Sequence, residues 1–114
     1  MGRKTVSLLP KTEVILKTMG NNIRLARLRR DLSMSLVCKR ANVSRATLWK
    51  VENGSPSVAI GVYASVLSAL GGSDKELLNI LNEDERGRAI QDLNIKVHRR
   101  GKLWENLKFY FLMK

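Results

Sequence analysis

What is scarce in this sequence narrows its chemistry first. There is one cysteine, Cys38, so no internal disulfide can form, and with a single histidine, His98, no zinc cluster can be assembled. Cys38 reads as a small packed hydrophobe rather than a redox switch. His98 borders a basic run without a partner at ligand spacing and reads as a solvated side chain. No metal and no cofactor is expected. No window approaches the roughly 20 uninterrupted apolar residues that a membrane span requires. The basic start Met1-Gly2-Arg3-Lys4 is not followed by a long apolar core with a small-residue cleavage site. The expectation is a soluble cytoplasmic protein with no membrane partner. Catalytic groupings are missing as well: there is no nucleophile–base constellation and no phosphate-cradling glycine loop. The consecutive carboxylates Glu83, Asp84 and Glu85 suit a helix start, where they favour the dipole. No enzyme is expected.

Acidic residues are few, 10 against 21 Lys and Arg, and the net charge is +11. The imbalance is segregated. Residues 1–50 hold 12 Lys/Arg and 2 Asp/Glu, residues 51–98 hold 4 and 7, and residues 99–114 hold 5 and 1. Basic ends around a mildly acidic middle fit a polyanion footprint and a separate surface for another task. The chain has 114 residues, enough for one core but not two.

What is present is helical. Glycine and proline cut the chain into short stretches with no convincing alternating strand. Pro10 opens a stretch toward Arg30 with Val14, Leu16, Ile23, Leu25 and Leu28 among its apolar positions, and Gly20 is a possible split point. Ser33 reads as the N-cap of a helix over Met34 to Ala41, Asn42 as a left-handed turn residue, and Ser44 as the cap of a helix from Arg45 to about Asn53, ended by Gly54. Ser55-Pro56-Ser57 is a loop, followed by an apolar helix over about Ile60 to Leu70 that Gly71-Gly72 stops. Ser73-Asp74-Lys75-Glu76 reads as a capping box leading into Leu77, Leu78, Ile80 and Leu81. A polar helix over Glu83 to Leu93 carries a sparse stripe of Ala89, Ile90 and Leu93.

Two short helices joined by a tight turn, over 33–54, meet the requirements of a helix-turn-helix. Cys38 is the small residue where the helices cross, Asn42 tolerates positive φ, and Leu48 and Val51 lock the second helix against Val37 and Val43. Arg45, Ala46, Trp49 and Lys50 are left facing outward.

The run Gly20-Asn21-Asn22-Ile23-Arg24, Arg27, Leu32-Ser33, Val43-Ser44-Arg45, Thr47-Leu48 and Glu52-Asn53-Gly54 resembles the Cro/phage-repressor (XRE) family over about residues 19–71. The resemblance implies a five- to six-helix, all-α, lambda-repressor-like DNA-binding domain. It implies Arg27 paired with Glu52 as a brace, and Arg45, Ala46 and Lys50 at base edges of a double-stranded operator. Arginine and lysine can donate to guanine and alanine suits a thymine methyl. Ser44, Thr47 and Asn53 would contact the backbone and Trp49 a groove edge. Met34 departs from the family, which has glutamine there to touch phosphate. One recognition helix reads one half-site, so a homodimer is implied.

A narrower resemblance covers Ser44 to Glu52, Pro56-Ser57-Val58, Gly61 to Gly71 and Asp84 to Leu93 with the basic tail beyond. These look like HipB-like antitoxins, which repress their own operon and bind a HipA-type serine/threonine kinase toxin. The alternatives are a free-standing phage or chromosomal repressor, and, outside DNA binding, a protein-interaction adaptor. The expected organisation is an N-terminal arm over 1–10, the helix-turn-helix domain over 11–72, additional helices for dimer or partner contact over 73–93, and a basic, partly amphipathic tail over 94–114. In the tail, Arg99, Arg100 and Lys102 are either solvated or bind phosphate or a partner. Trp104, Phe109, Tyr110 and Phe111 favour docking on another subunit or a partner over packing on their own domain.

Overall fold

The structure is a computed structural model and describes residues 6–94. Among them there are five α-helices, one 3₁₀ helix and no strand. The chain divides after Ile80 into two units.

Helix α1, Pro10–Arg29, starts without a side-chain cap, with Pro10 presetting the first helical φ. It runs unbroken through Gly20, which therefore does not split it. Of the apolar positions named above only Ile23 is buried: Leu16 is half-buried, Val14, Leu25 and Leu28 are exposed, and Gly20 and Arg27 complete the buried face. A residue without a side chain and a cation occupy places where an apolar stripe would normally lie. The helix ends where Asp31 turns to φ 55°.

Helices α2, Met34–Ala41, and α3, Arg45–Glu52, are capped alike. The Ser33 hydroxyl accepts from the Leu36 amide and the Ser44 hydroxyl accepts from the Thr47 amide, each at 3.1 Å. Between them Asn42 takes the left-handed conformation, φ 57° and ψ 48°, and Val43 donates its amide back to the Cys38 carbonyl. Helix α4, Ile60–Ala69, stands on the fully buried Val66, and Leu70 follows it into the core. The core gathers Val37 and Ala41 of α2, Leu48 and Val51 of α3, Tyr63, Val66 and Ala69 of α4, Leu70, and Ile23 of α1. Cys38 is half-buried against this cluster. Helix α3 is thus packed against both α1 and α2, while α2 also meets α4.

The expected capping box at Ser73 does not form. Gly71 and Gly72 both take positive φ, and Ser73 lies inside a 3₁₀ helix, Ser73–Asn79, with its hydroxyl donating to the Leu70 carbonyl at 3.2 Å. The hydroxyl is turned back onto the end of α4, and no side-chain bond caps the 3₁₀ helix. This 3₁₀ helix packs on α4 and leaves Leu78 and Ile80 exposed. The second unit contains α5, Glu85–Asn94, whose first turn is closed by the Asp84 carboxylate accepting from the Gly87 amide at 3.2 Å. Ala89, Ile90 and Leu93 on α5 are exposed. No helix among the described residues is long and apolar enough to cross a membrane.

Candidate DNA interface

Helix α3 has two faces of opposite character. Leu48 and Val51 are completely buried and Glu52 nearly so, whereas Arg45, Ala46, Trp49 and Lys50 are exposed, Trp49 by 60%. A helix of eight residues has little stability of its own, so this orientation depends on what holds the buried side.

Arg27 and Glu52 hold it electrostatically. The guanidinium binds the carboxylate through Nε–Oε2 at 2.7 Å and Nη2–Oε1 at 3.2 Å, and both residues are buried. Nη1 donates to the Leu32 carbonyl at 3.0 Å. One side chain therefore links α1, the connection to α2 and the end of α3. A paired, bidentate geometry offsets part of the desolvation that burying two charges costs, and fixes direction as well.

A second joint was not legible as such in the sequence. A Cβ on Gly20 would lie 2.5 Å from the Gly54 amide nitrogen, 2.7 Å from the Val51 carbonyl oxygen and 2.9 Å from that of Glu52. A Cβ on Gly54, whose φ is 67°, would strike the Leu16 backbone. The two glycines let the backbones of α1 and the end of α3 meet directly. The available signal was a glycine in the middle of an otherwise helical run, which asks for a packing reason. A third tie runs from the other side, where Tyr63 donates its hydroxyl to the Ser55 carbonyl at 2.7 Å. Burial of that phenol raises its pKa above the usual value of 10.0.

The remaining site residues sit around the outward face. The Ser44 hydroxyl, besides capping, donates to Thr47 Oγ1 at 2.9 Å, and Thr47 is half-buried. Asn53 is exposed and donates from Nδ2 to the Trp49 carbonyl at 2.8 Å. Beside α3 lies a cleft of about 570 Å³ lined by Lys17, Asn21, Arg24, Arg27, Met34, Trp49, Glu52 and Asn53. The structure thus brings Arg27, Glu52, Trp49 and Asn53 to one cleft, and places Arg45, Ala46 and Lys50 on the exposed side of the same helix. Trp104, Phe109, Tyr110 and Phe111 lie outside the described residues, as does His98. Among the described residues no group of three or more His, Cys, Asp or Glu is arranged to hold a metal ion.

Residues 18–79 match the helix-turn-helix domain family. The match takes in more than half of the chain, and spans α1 from its second half, both helices of the motif, α4 and the 3₁₀ helix. The chain belongs to this family, and its domain is of the kind that DNA-binding transcription regulators carry. No curated protein and no solved structure matches the chain.

Proposed function

We propose that this protein is a sequence-specific transcriptional repressor that binds a roughly palindromic operator as a homodimer. The observation that carries the reading is the two-faced recognition helix. One side of α3 is fastened by the Arg27–Glu52 pair and the Gly20–Gly54 joint, and the other exposes Arg45, Ala46 and Lys50. A rigidly held helix with free guanidinium and ammonium donors is what base-edge reading in a major groove needs. In this reading Ser44, Thr47 and Asn53 set register on the backbone and Trp49 lies at the groove edge. The 12 Lys/Arg among the first 50 residues supply the long-range attraction.

Selection of duplexes from a random pool by the full chain tests it. The expected result is one enriched motif with two-fold symmetry. Arg45→Ala should lose preference at one base pair of each half-site, a discrimination of about 1–3 kcal/mol. A flat pool, or an unchanged motif in the variant, overturns the reading.

The setting we favour is that of a HipB-like antitoxin that represses its own operon and binds a HipA-type kinase. The sequence resemblance around the motif supports it, and residues 73–114 exceed what reading a half-site requires. A HipA-type kinase encoded beside this chain should copurify with it and lose its toxicity in its presence. A chemically unrelated neighbour would leave a free-standing repressor.

A further inference from the structure

A second groove, of about 480 Å³, lies between α1, α4 and the 3₁₀ helix, and none of its lining comes from α3. Ile23 and Leu70 are buried at its floor, while Met19, Ala26, Leu67 and Leu77 along its sides are half-buried. The fold closes the bottom of this groove and leaves its apolar sides partly in water. Two more aliphatic side chains stand beside them on the 3₁₀ segment: Ile80, which lines the groove, is 66% exposed, and Leu78 is 76% exposed. Apolar surface gathered in this way, with a polar rim, marks a contact with another molecule. Charge says which molecule. The α1 wall carries Arg29 and Arg30, and the 3₁₀ wall carries Glu76. All three are exposed, and among the described residues no ion pair joins them within one copy. Arg30 donates only to the Ala26 carbonyl of its own helix. An anionic ligand in the groove would meet Glu76, and a cationic one would meet the two arginines. A second copy turned about a two-fold axis sets each α1 wall against the other's 3₁₀ wall, so every charge meets its opposite.

We propose that a second copy of this chain occupies the groove, with Leu78 and Ile80 of each copy set into the groove of the other and Arg29 and Arg30 paired with the partner's Glu76. The assignment rests on the homodimer proposed above and gives that homodimer its face. The apolar contact supplies affinity, and the charges fix direction and choice of partner. No residue lining the cleft beside α3 also lines this groove, so the two surfaces do not compete.

Sedimentation equilibrium of the full chain without DNA is the test. The wild type should be a dimer at micromolar concentration. Arg29→Glu/Arg30→Glu and, separately, Glu76→Arg each set like charges against one another and should weaken the dimer about a hundredfold or more. Leu78→Glu, at a position too exposed to hold the fold, should weaken it as well. An equimolar mixture of the two charge variants restores opposite charges at both pairs of walls, so it should recover a heterodimer of near wild-type affinity. Misfolded variants could not give that recovery. A wild-type dimer that the substitutions leave unchanged, or a mixture without a heterodimer, overturns the groove as the interface while the homodimer still stands. A wild-type chain that stays monomeric overturns both and leaves the groove to a different occupant.

Discussion

Tyr63 fastens the loop behind the recognition helix with one hydroxyl, and that hydroxyl titrates. Its proton is donated to the Ser55 carbonyl, and burial of the ring opposes the phenolate, so the folded pKa lies above the ordinary value. The unfolded chain ionises this tyrosine near pH 10, while the folded chain holds the proton to higher pH. The contribution of Tyr63 is therefore fully present below pH 10 and is lost as pH rises through the folded pKa. Tyr63→Phe should cost about 1 kcal/mol at neutral pH, the net value of a typical hydrogen bond. The gap between wild type and variant should then narrow above pH 10. Urea unfolding at a series of pH values measures both, and a gap that widens on the alkaline side would refute the assignment. The same scale separates Arg27 from the other arginines. It is buried against Glu52, so its charge is committed to structure, whereas Arg45 and Arg24 are exposed and remain available to a ligand.

Between elements, the decisive contact is backbone on backbone. Gly20 of α1 meets the last turn of α3, and replacing it by alanine sets two known effects against each other. In an open helix the change is worth close to 1 kcal/mol of stabilisation. Here the new methyl would stand 2.5–2.9 Å from three backbone atoms of Val51, Glu52 and Gly54. Overpacking against atoms that cannot rotate away costs about 1–3 kcal/mol or more, and it also displaces α3. Gly20→Ala should therefore destabilise the fold by about 2 kcal/mol and weaken duplex binding beyond that loss; a stabilised variant would show that the joint is loose. This contact also marks where sequence reading stops. The caps Ser33 and Ser44 and the left-handed Asn42 were legible because each acts through bonds within four residues. The outward set on α3 was legible from its spacing against Leu48 and Val51. The buried face of α1 was legible at Ile23 and, through the family resemblance, at Arg27, but not at Gly20, which is inside for a reason that only the arrival of α3 supplies. The turn at Ser73 was misread for a related reason: two positive-φ glycines rotate its hydroxyl onto α4.

For the molecule as a whole, charge placement separates an operator reader from an adaptor that keeps only the shape. Net charge acts at long range, and in a duplex complex it appears as counterions released, so log K falls with log salt by about 0.9 per phosphate neutralised. The cations concentrate in residues 1–50, which contain α1, α2 and most of α3, while residues 51–98 carry a net negative charge. Each copy therefore brings its positive charge to the same side of the sequence as its recognition helix. If two copies bind one palindrome, each contributes its own phosphate contacts, and the slopes add. The full palindromic duplex should then show a slope about twice that of a duplex carrying one half-site. For 6–10 contacts in all, affinity should drop about 10³–10⁵-fold between 50 and 200 mM salt. Fluorescence anisotropy across that range, on both duplexes, gives the two slopes. Equal slopes would mean that only one copy engages the backbone and would sink the homodimer. A binding partner whose affinity ignores salt would point to an uncharged protein surface, and to the adaptor.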